Sequence, residues 1–215
     1  MTFRYGIVGT GAMGLEHMRN IALLDHAEVR AIAEPNEKPR RWAQRVADET
    51  GIELPQERVF ASCSELVAAA KSGDLIDALV IATPNYTHAD VLEPVWGSGL
   101  HVMIEKPMCT TLEDCQRVEM AAADHNGVVW VGMEYRYMPP VAKLIQEVRN
   151  GTVGELRMVA IREHRQPFLV KIDDWNRFNR NTGGTLVEKC CHFFDLMVQI
   201  TGKRPLRVFA SGAQD

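Results

Sequence analysis

The stretch GIVGTGAMG, residues 6–14, limits the fold of this chain more than any other. It sets Gly9, Gly11 and Gly14 in a GxGxxG spacing, after a β-rich run, FRYGIVG (3–9), and at the start of a helical pattern, AMGLEHMRNIALL (12–24). In that context each glycine has a steric task. Gly9 permits the tight turn, Gly11 lets backbone approach a pyrophosphate, and Gly14 lets the helix pack close to the strand. The first helical turn, with Ala12 and Met13, offers N–H groups and a favourable dipole to an anion. Glu34 closes the next strand, EVRAIAE (28–34), twenty residues past Gly14. A carboxylate there accepts hydrogen bonds from ribose hydroxyls and repels a 2′-phosphate, which favours NAD, with NADP as the alternative.

The pattern that follows repeats this unit. Helices over 38–51 (closed by Gly51), 64–73 (Ser64 as N-cap), 87–98 and 111–127 alternate with strands over 58–62, 77–83, 100–105 and 128–133. The run DALVIAT (77–83) is almost continuously apolar, as in a central parallel strand covered on both faces. Such alternation predicts an α/β protein with a doubly wound parallel sheet. Past residue 133 the alternation stops. A helix over 140–151, strands over 155–165 and 206–212 and a polar, aromatic loop (166–184) suggest an α+β segment. The expected division is thus a Rossmann domain over 1–133 and the start of a second domain over 134–215. Two strands rarely make a stable sheet alone, so the sequence reads as a truncated chain.

Composition narrows the function. The chain has 215 residues, 46% hydrophobic, with a net charge of −4 and no basic cluster, which points away from nucleic acid as a partner. No apolar run is long enough for a membrane span, and the N-terminus reads as a strand rather than a signal peptide. Five cysteines without a CxxC pair suit reduced thiols in the cytoplasm.

Two strand ends and one apolar segment carry the remaining chemistry. IATPNYTH (81–88) places Thr83, Pro84 and Asn85 at the carboxyl end of a strand, where doubly wound sheets bind ligands, although Pro–Asn is also common turn chemistry. IEKPM (104–108) places Lys106 at the next strand end, either solvated or able to hold a substrate hydroxyl. GGTLVEKCCHFFD (183–195) reads as a buried helix on which Glu188, His192 and Asp195 fall within about 60° of one another. Adjacent cysteines on a regular helix do not readily share an ion, so no metal site is expected there, and the thiols read as core residues. Of the loop residues, Trp175 and Asn176 are chosen as substrate contacts, since an indole can stack on a sugar face. Tyr135, Arg136, Arg162, His164, Lys171 and Asp174 read as surface or packing.

In this order, GTGAMG, Glu34, TPNYTH, HVMIEKPM and GGTLVEKCCHFFD resemble the Gfo/Idh/MocA oxidoreductase family over nearly the whole chain. The resemblance implies an N-terminal NAD(P)-binding Rossmann domain followed by an α/β domain with a large open sheet. It implies hydride transfer between nicotinamide and a CH–OH carbon of a sugar, inositol or related polyol, and homodimers or homotetramers of full-length members. It makes Lys106 and His192 catalytic, with Glu188 standing where the family has aspartate. The expected cofactor contacts are Gly9, Gly11, Ala12, Met13, Gly14 and Glu34, then Thr83, Pro84, Asn85, His88, Glu105 and Lys106. It also implies a cis Lys106–Pro107 bond. Two alternatives stay open: a redox-neutral NAD-dependent glycosidase of the same family, and a non-catalytic NAD-binding sensor.

Overall fold

The computed structural model describes residues 2–73, 75–164 and 170–211. The chain divides into two compact units, one of Met1–Gly132 with Phe168–Glu188, the other of Met133–Pro167 with Lys189–Asp215.

The first unit is built on six strands: β1 (Phe3–Val8), β2 (Ala27–Ala33), β3 (Val59–Phe60), β4 (Ala78–Ile81), β5 (His101–Ile104) and β6 (Val129–Val131). They lie in the order β3-β2-β1-β4-β5-β6, and every pair is parallel. Parallel neighbours need a crossover, and the helices α1 (Ala12–Ile21), α2 (Glu37–Thr50), α3 (Cys63–Gly73), α4 (His88–Leu92) and α5 (Leu112–Ala123) supply it. The period-2 alternation of strand side chains sorts them into two cores. Ile7, Ile32 and Val80 join Met18 of α1 and Val46 of α2 in one cluster. Val8, Ala33, Leu79 and Ile81 join Leu66 of α3, Leu92 of α4 and Val118 of α5 in the other. The four residues of β4 are therefore all buried.

Helix ends follow local chemistry. Gly51 closes α2 at φ +75°, as the sequence predicts. The expected cap on the next helix is corrected by two residues: Ser62, not Ser64, accepts the Glu65 N–H at 3.2 Å, while the Glu65 carboxylate takes the Ala61 N–H at 2.9 Å. The unit also holds a turn over Ile172–Arg177 and two short helices, α6 (Asn179–Thr182) and α7 (Thr185–Glu188).

The second unit carries a turn over Glu134–Tyr137 and the helices α8 (Pro139–Arg149) and α9 (Cys191–Thr201). Ile145, Leu196 and Ile200 form its buried cluster, with Val141, Leu156, Val159 and Ile161 against it. The expected strands do not form over 155–164 or 206–211, and Arg165 and Gly212 lie outside the described residues. A strand is held by its neighbour's backbone hydrogen bonds, and no described segment pairs with either run. Leu206, Val208 and Phe209 stand almost fully exposed.

Candidate active site

Strand order reverses between β1 and β4, the switch point at which doubly wound sheets take their ligands. The glycine loop leaves β1 at this point. Gly9 has φ +87°, and a Cβ there would lie 2.9 Å from the Ala82 carbonyl. A Cβ on Gly14 would lie 2.0 Å from the Gly9 oxygen, so only glycine lets α1 come this close. Gly11 is different: a Cβ on it meets nothing within 4 Å. The space beside this backbone is open, Ala12 and Met13 in the first turn are exposed, and no acidic residue occupies that turn. The loop thus fits a pyrophosphate.

Glu34 is buried at the end of β2, and both its oxygens are engaged. One accepts from the Thr10 N–H at 3.0 Å and faces the Thr10 hydroxyl at 3.3 Å. The other accepts from the N–H and the side-chain amide of Asn36, each at 3.0 Å. The carboxylate therefore ties the glycine loop to the start of α2.

Thr83, Pro84 and Asn85 leave the end of β4, with Asn85 buried. His88, expected among the cofactor contacts, has no accessible surface. Its Nδ1 lies 3.1 Å from the Pro107 carbonyl and 3.2 Å from that of Met108, while its Nε2 lies 3.0 Å from the Thr83 carbonyl. The sequence expectation is corrected accordingly: His88 holds two loops together from behind, and burial pushes its pKa below the ordinary histidine value against the pull of those carbonyls.

The EKP segment leaves β5 with a cis Lys106–Pro107 bond. Glu105 is buried, and its Oε1 lies 2.6 Å from His17 Nε2 on α1. Its other oxygen accepts the Lys106 N–H at 3.2 Å. Burial pushes this carboxyl up, but the His17 hydrogen bond and charge and the adjacent Lys106 outweigh it and hold the group below the usual carboxylate range. Lys106 Nζ donates to the Glu188 backbone carbonyl at 3.2 Å. Lys171 belongs to the same environment. Burial pushes its ammonium below the ordinary lysine value and the charge of Lys106 pushes the same way, opposed by Glu188, Glu105 and Glu16. Of the expected substrate contacts, Trp175 is half-buried and edge-on to Tyr86 at 6.4 Å, and Asn176 is buried.

The expected continuous helix over 183–195 is not formed. α7 ends at Glu188, α9 begins at Cys191, and the His192 and Phe193 N–H groups bond three residues back, to the Lys189 and Cys190 carbonyls. Such bonds tighten the chain into a turn, so the angular argument that put Glu188 and His192 on one stripe fails. Asp195 does share a helix with His192, and its carboxylate is gripped by both donor sides of Arg136.

Within the second unit, His192 is 1% exposed, stacks on Tyr135 with ring centroids 4.1 Å apart and planes 7° from parallel, and presents Nε2 to Glu134 at 3.5 Å. Sequence reasoning passed over Lys189, which is buried here and donates to the Tyr135 hydroxyl. A lysine in an otherwise apolar segment, three residues before a histidine, was the signal available. Cys190 and Cys191 are half-buried, and burial pushes the Cys63 and Cys109 thiols up to about 12.

Comparison with known proteins agrees with this fold. Residues 3–133 match a family described as "Oxidoreductase family, NAD-binding Rossmann fold", and residues 145–215 match its "C-terminal alpha/beta domain". The fold and the glycine loop thus define an oxidoreductase class with an NAD-binding Rossmann domain. The chain belongs to the Gfo/Idh/MocA oxidoreductase family. It is 28% identical over 213 residues to an inositol 2-dehydrogenase of Rhizobium meliloti (99% of this chain, 59% of the relative). It is 28% identical over 209 residues to the rhizopine catabolism protein MocA of the same species (94% and 58%). A solved structure of a putative myo-inositol dehydrogenase from Sinorhizobium meliloti superimposes with a TM-score of 0.76 at 26% identity, covering 95% of this chain and 56% of that one. The chain therefore spans little more than half the length of these relatives. Among the described residues no helix is long and apolar enough to cross a membrane.

Proposed function

We propose that the chain carries the cofactor site and part of the catalytic machinery of an NAD-dependent dehydrogenase acting on a CH–OH group of an inositol, sugar or related polyol. The observation that carries this reading is the meeting of the open Gly11 backbone, the Thr83–Asn85 loop and the Lys106 loop at the carboxyl ends of β1, β4 and β5. The inositol 2-dehydrogenase relative supports the substrate class. We take 1–133 as the cofactor domain and 134–215 as the start of the substrate domain.

Bound NAD supplies the hydride acceptor. The backbone of Gly11–Met13 holds the pyrophosphate, and Glu34 faces the adenosine ribose and disfavours a 2′-phosphate. Lys106 holds the reacting oxygen and stabilises its developing negative charge. An ammonium has three N–H donors, and the Glu188 carbonyl takes one. His192 accepts the hydroxyl proton, a role that a neutral imidazole nitrogen can fill. Glu188 is assigned to the same proton and substrate chemistry, and Trp175 and Asn176 to substrate contact. The reading places the protein in the cytoplasm and the full-length form in a homodimer or homotetramer.

The test follows reduced nicotinamide by absorbance after mixing protein, NAD and a panel of inositols and sugars. A signal that His192→Ala abolishes supports the dehydrogenase. A protein that binds NAD yet oxidises no member of the panel overturns it.

A further inference from the structure

The second unit contains a polar assembly that the dehydrogenase reading does not use. Lys189 is buried in a segment whose other side chains are mostly apolar. A buried ammonium is costly unless it is paired, and here three partners receive it. Nζ donates to the Tyr135 hydroxyl, lies 3.3 Å from the Glu163 carboxylate, and stands 4.3 Å from the centre of the Tyr135 ring. The Tyr135 hydroxyl in turn donates to Glu163 at 3.5 Å. The same tyrosine ring stacks on His192. An imidazolium on that ring would draw on the ring quadrupole, but the Lys189 ammonium at the hydroxyl end of the same ring repels it.

We propose that Lys189 is a positioning residue for His192, its ammonium, fixed by Tyr135 and Glu163, favouring the proton-accepting form of the imidazole. Other charged groups of the second unit stand near His192 or on the helices beside it. Glu134 at Nε2 pulls the opposite way. Arg136 and Asp195 neutralise one another, and Tyr137 belongs to the same turn. On α8, Lys143 pairs with Glu147 at 2.5 Å and Arg149 bonds Gln199 at 3.3 Å. The proposal rests on the dehydrogenase reading only for the use His192 makes of its lone pair.

The experiment is an imidazole NMR titration of the cofactor-free protein, with the His192 signal assigned by its loss in His192→Gln. Lys189→Met is expected to raise the His192 midpoint by about half a pH unit, the effect of a nearby ammonium reduced by its Glu163 counter-charge. Lys189→Arg is expected to leave it in place, and Glu163→Gln, which strips the ammonium of its counter-charge, to lower it. If Lys189→Met fails to fold, Tyr135→Phe keeps the stack but frees the ammonium, and a shifted midpoint in that variant supports the proposal. Folded variants whose midpoint stays within about 0.2 of the native value overturn it. In the enzyme assay, the acid limb of kcat should move with the midpoint while KM for NAD stays fixed. A moving midpoint in a protein that oxidises no polyol keeps the positioning role and discards the dehydrogenase.

Discussion

Two alanine substitutions in one loop should have opposite effects. A Cβ on Gly11 enters open space, and the backbone there (φ −71°, ψ −166°) is one any residue adopts. Removing glycine freedom from the unfolded chain stabilises by about 0.4–1 kcal/mol. Gly11 is also the N-cap of α1, where alanine is disfavoured by roughly 0.5–1 kcal/mol, so the two effects offset. The Tm of Gly11→Ala should stay within about 4 °C of the native value. Its Cβ, however, fills the space through which a pyrophosphate meets the helix N-terminus. Loss of one hydrogen bond to a charged group costs about 1.5–3 kcal/mol, a roughly 10- to 150-fold weaker NAD affinity. Gly14→Ala is the contrast. Its Cβ would lie 2.0 Å from the Gly9 oxygen, and backbone must retreat by about 1 Å to reach even a tight contact. Overpacking of this kind costs about 1–3 kcal/mol, or about 2–12 °C in Tm. Calorimetric titration with NAD and thermal scans of the three proteins decide the matter. A Gly11→Ala protein that binds NAD within about twofold of native would refute the assignment of this backbone to the pyrophosphate.

Three further outcomes follow from the same geometry. Glu34→Ala should narrow the preference for NAD over NADP by about tenfold or more in a binding competition, and an unchanged ratio would mean the ribose contact lies elsewhere. Glu105→Gln should cost about 1–3 kcal/mol at pH 7 in urea unfolding. Because the folded carboxyl lies below its unfolded value of about 4.3, that stabilisation is complete above pH 4.3 and fades as pH falls through the folded value. The gap to native should therefore narrow at pH 3, and an equal gap at both pH values would refute the His17–Glu105 account. Cys63 and Cys109, with thiols pushed up to about 12, should resist iodoacetamide at pH 8 in the folded protein, and rapid labelling of either would contradict its burial.

Periodicity made the six-stranded sheet legible because its strands are short apolar runs between helices with clear stops. The two cores are the period-2 rule applied to Ile7 and Val8, or to Val80 and Ile81. What failed was any inference needing a partner outside the local window. The runs at 155–165 and 206–212 alternate well, but alternation states only which side chains share a face, and a strand also needs a neighbour's hydrogen bonds. The 183–195 helix failed differently. Its residues are helix-compatible throughout, and nothing in the sequence announces the turn at Lys189 and Cys190, where the Lys189 ammonium is fixed by Tyr135 and Glu163, residues 54 and 26 positions away.

The polar residues show the deeper limit. Sequence reading treats a polar side chain at a strand end as something offered to a ligand. In the first unit the residues of this kind are largely committed to the protein itself. Glu34 joins Thr10 to Asn36, Glu105 joins His17 to the Lys106 backbone, and His88 joins Thr83 to Pro107 and Met108. Each clamp spans a gap that apolar packing would leave free to slide, because directional bonds fix position where apolar contact fixes only separation. The loops at the ends of β1, β4 and β5 are thereby held in register by these side chains. Lys106 differs from these three: its ammonium meets one carbonyl and keeps two donors to spare among the described residues. Buried carboxylates and a buried imidazole thus hold the loops, while the Lys106 ammonium beside them keeps the donors that the proposed substrate oxygen would take.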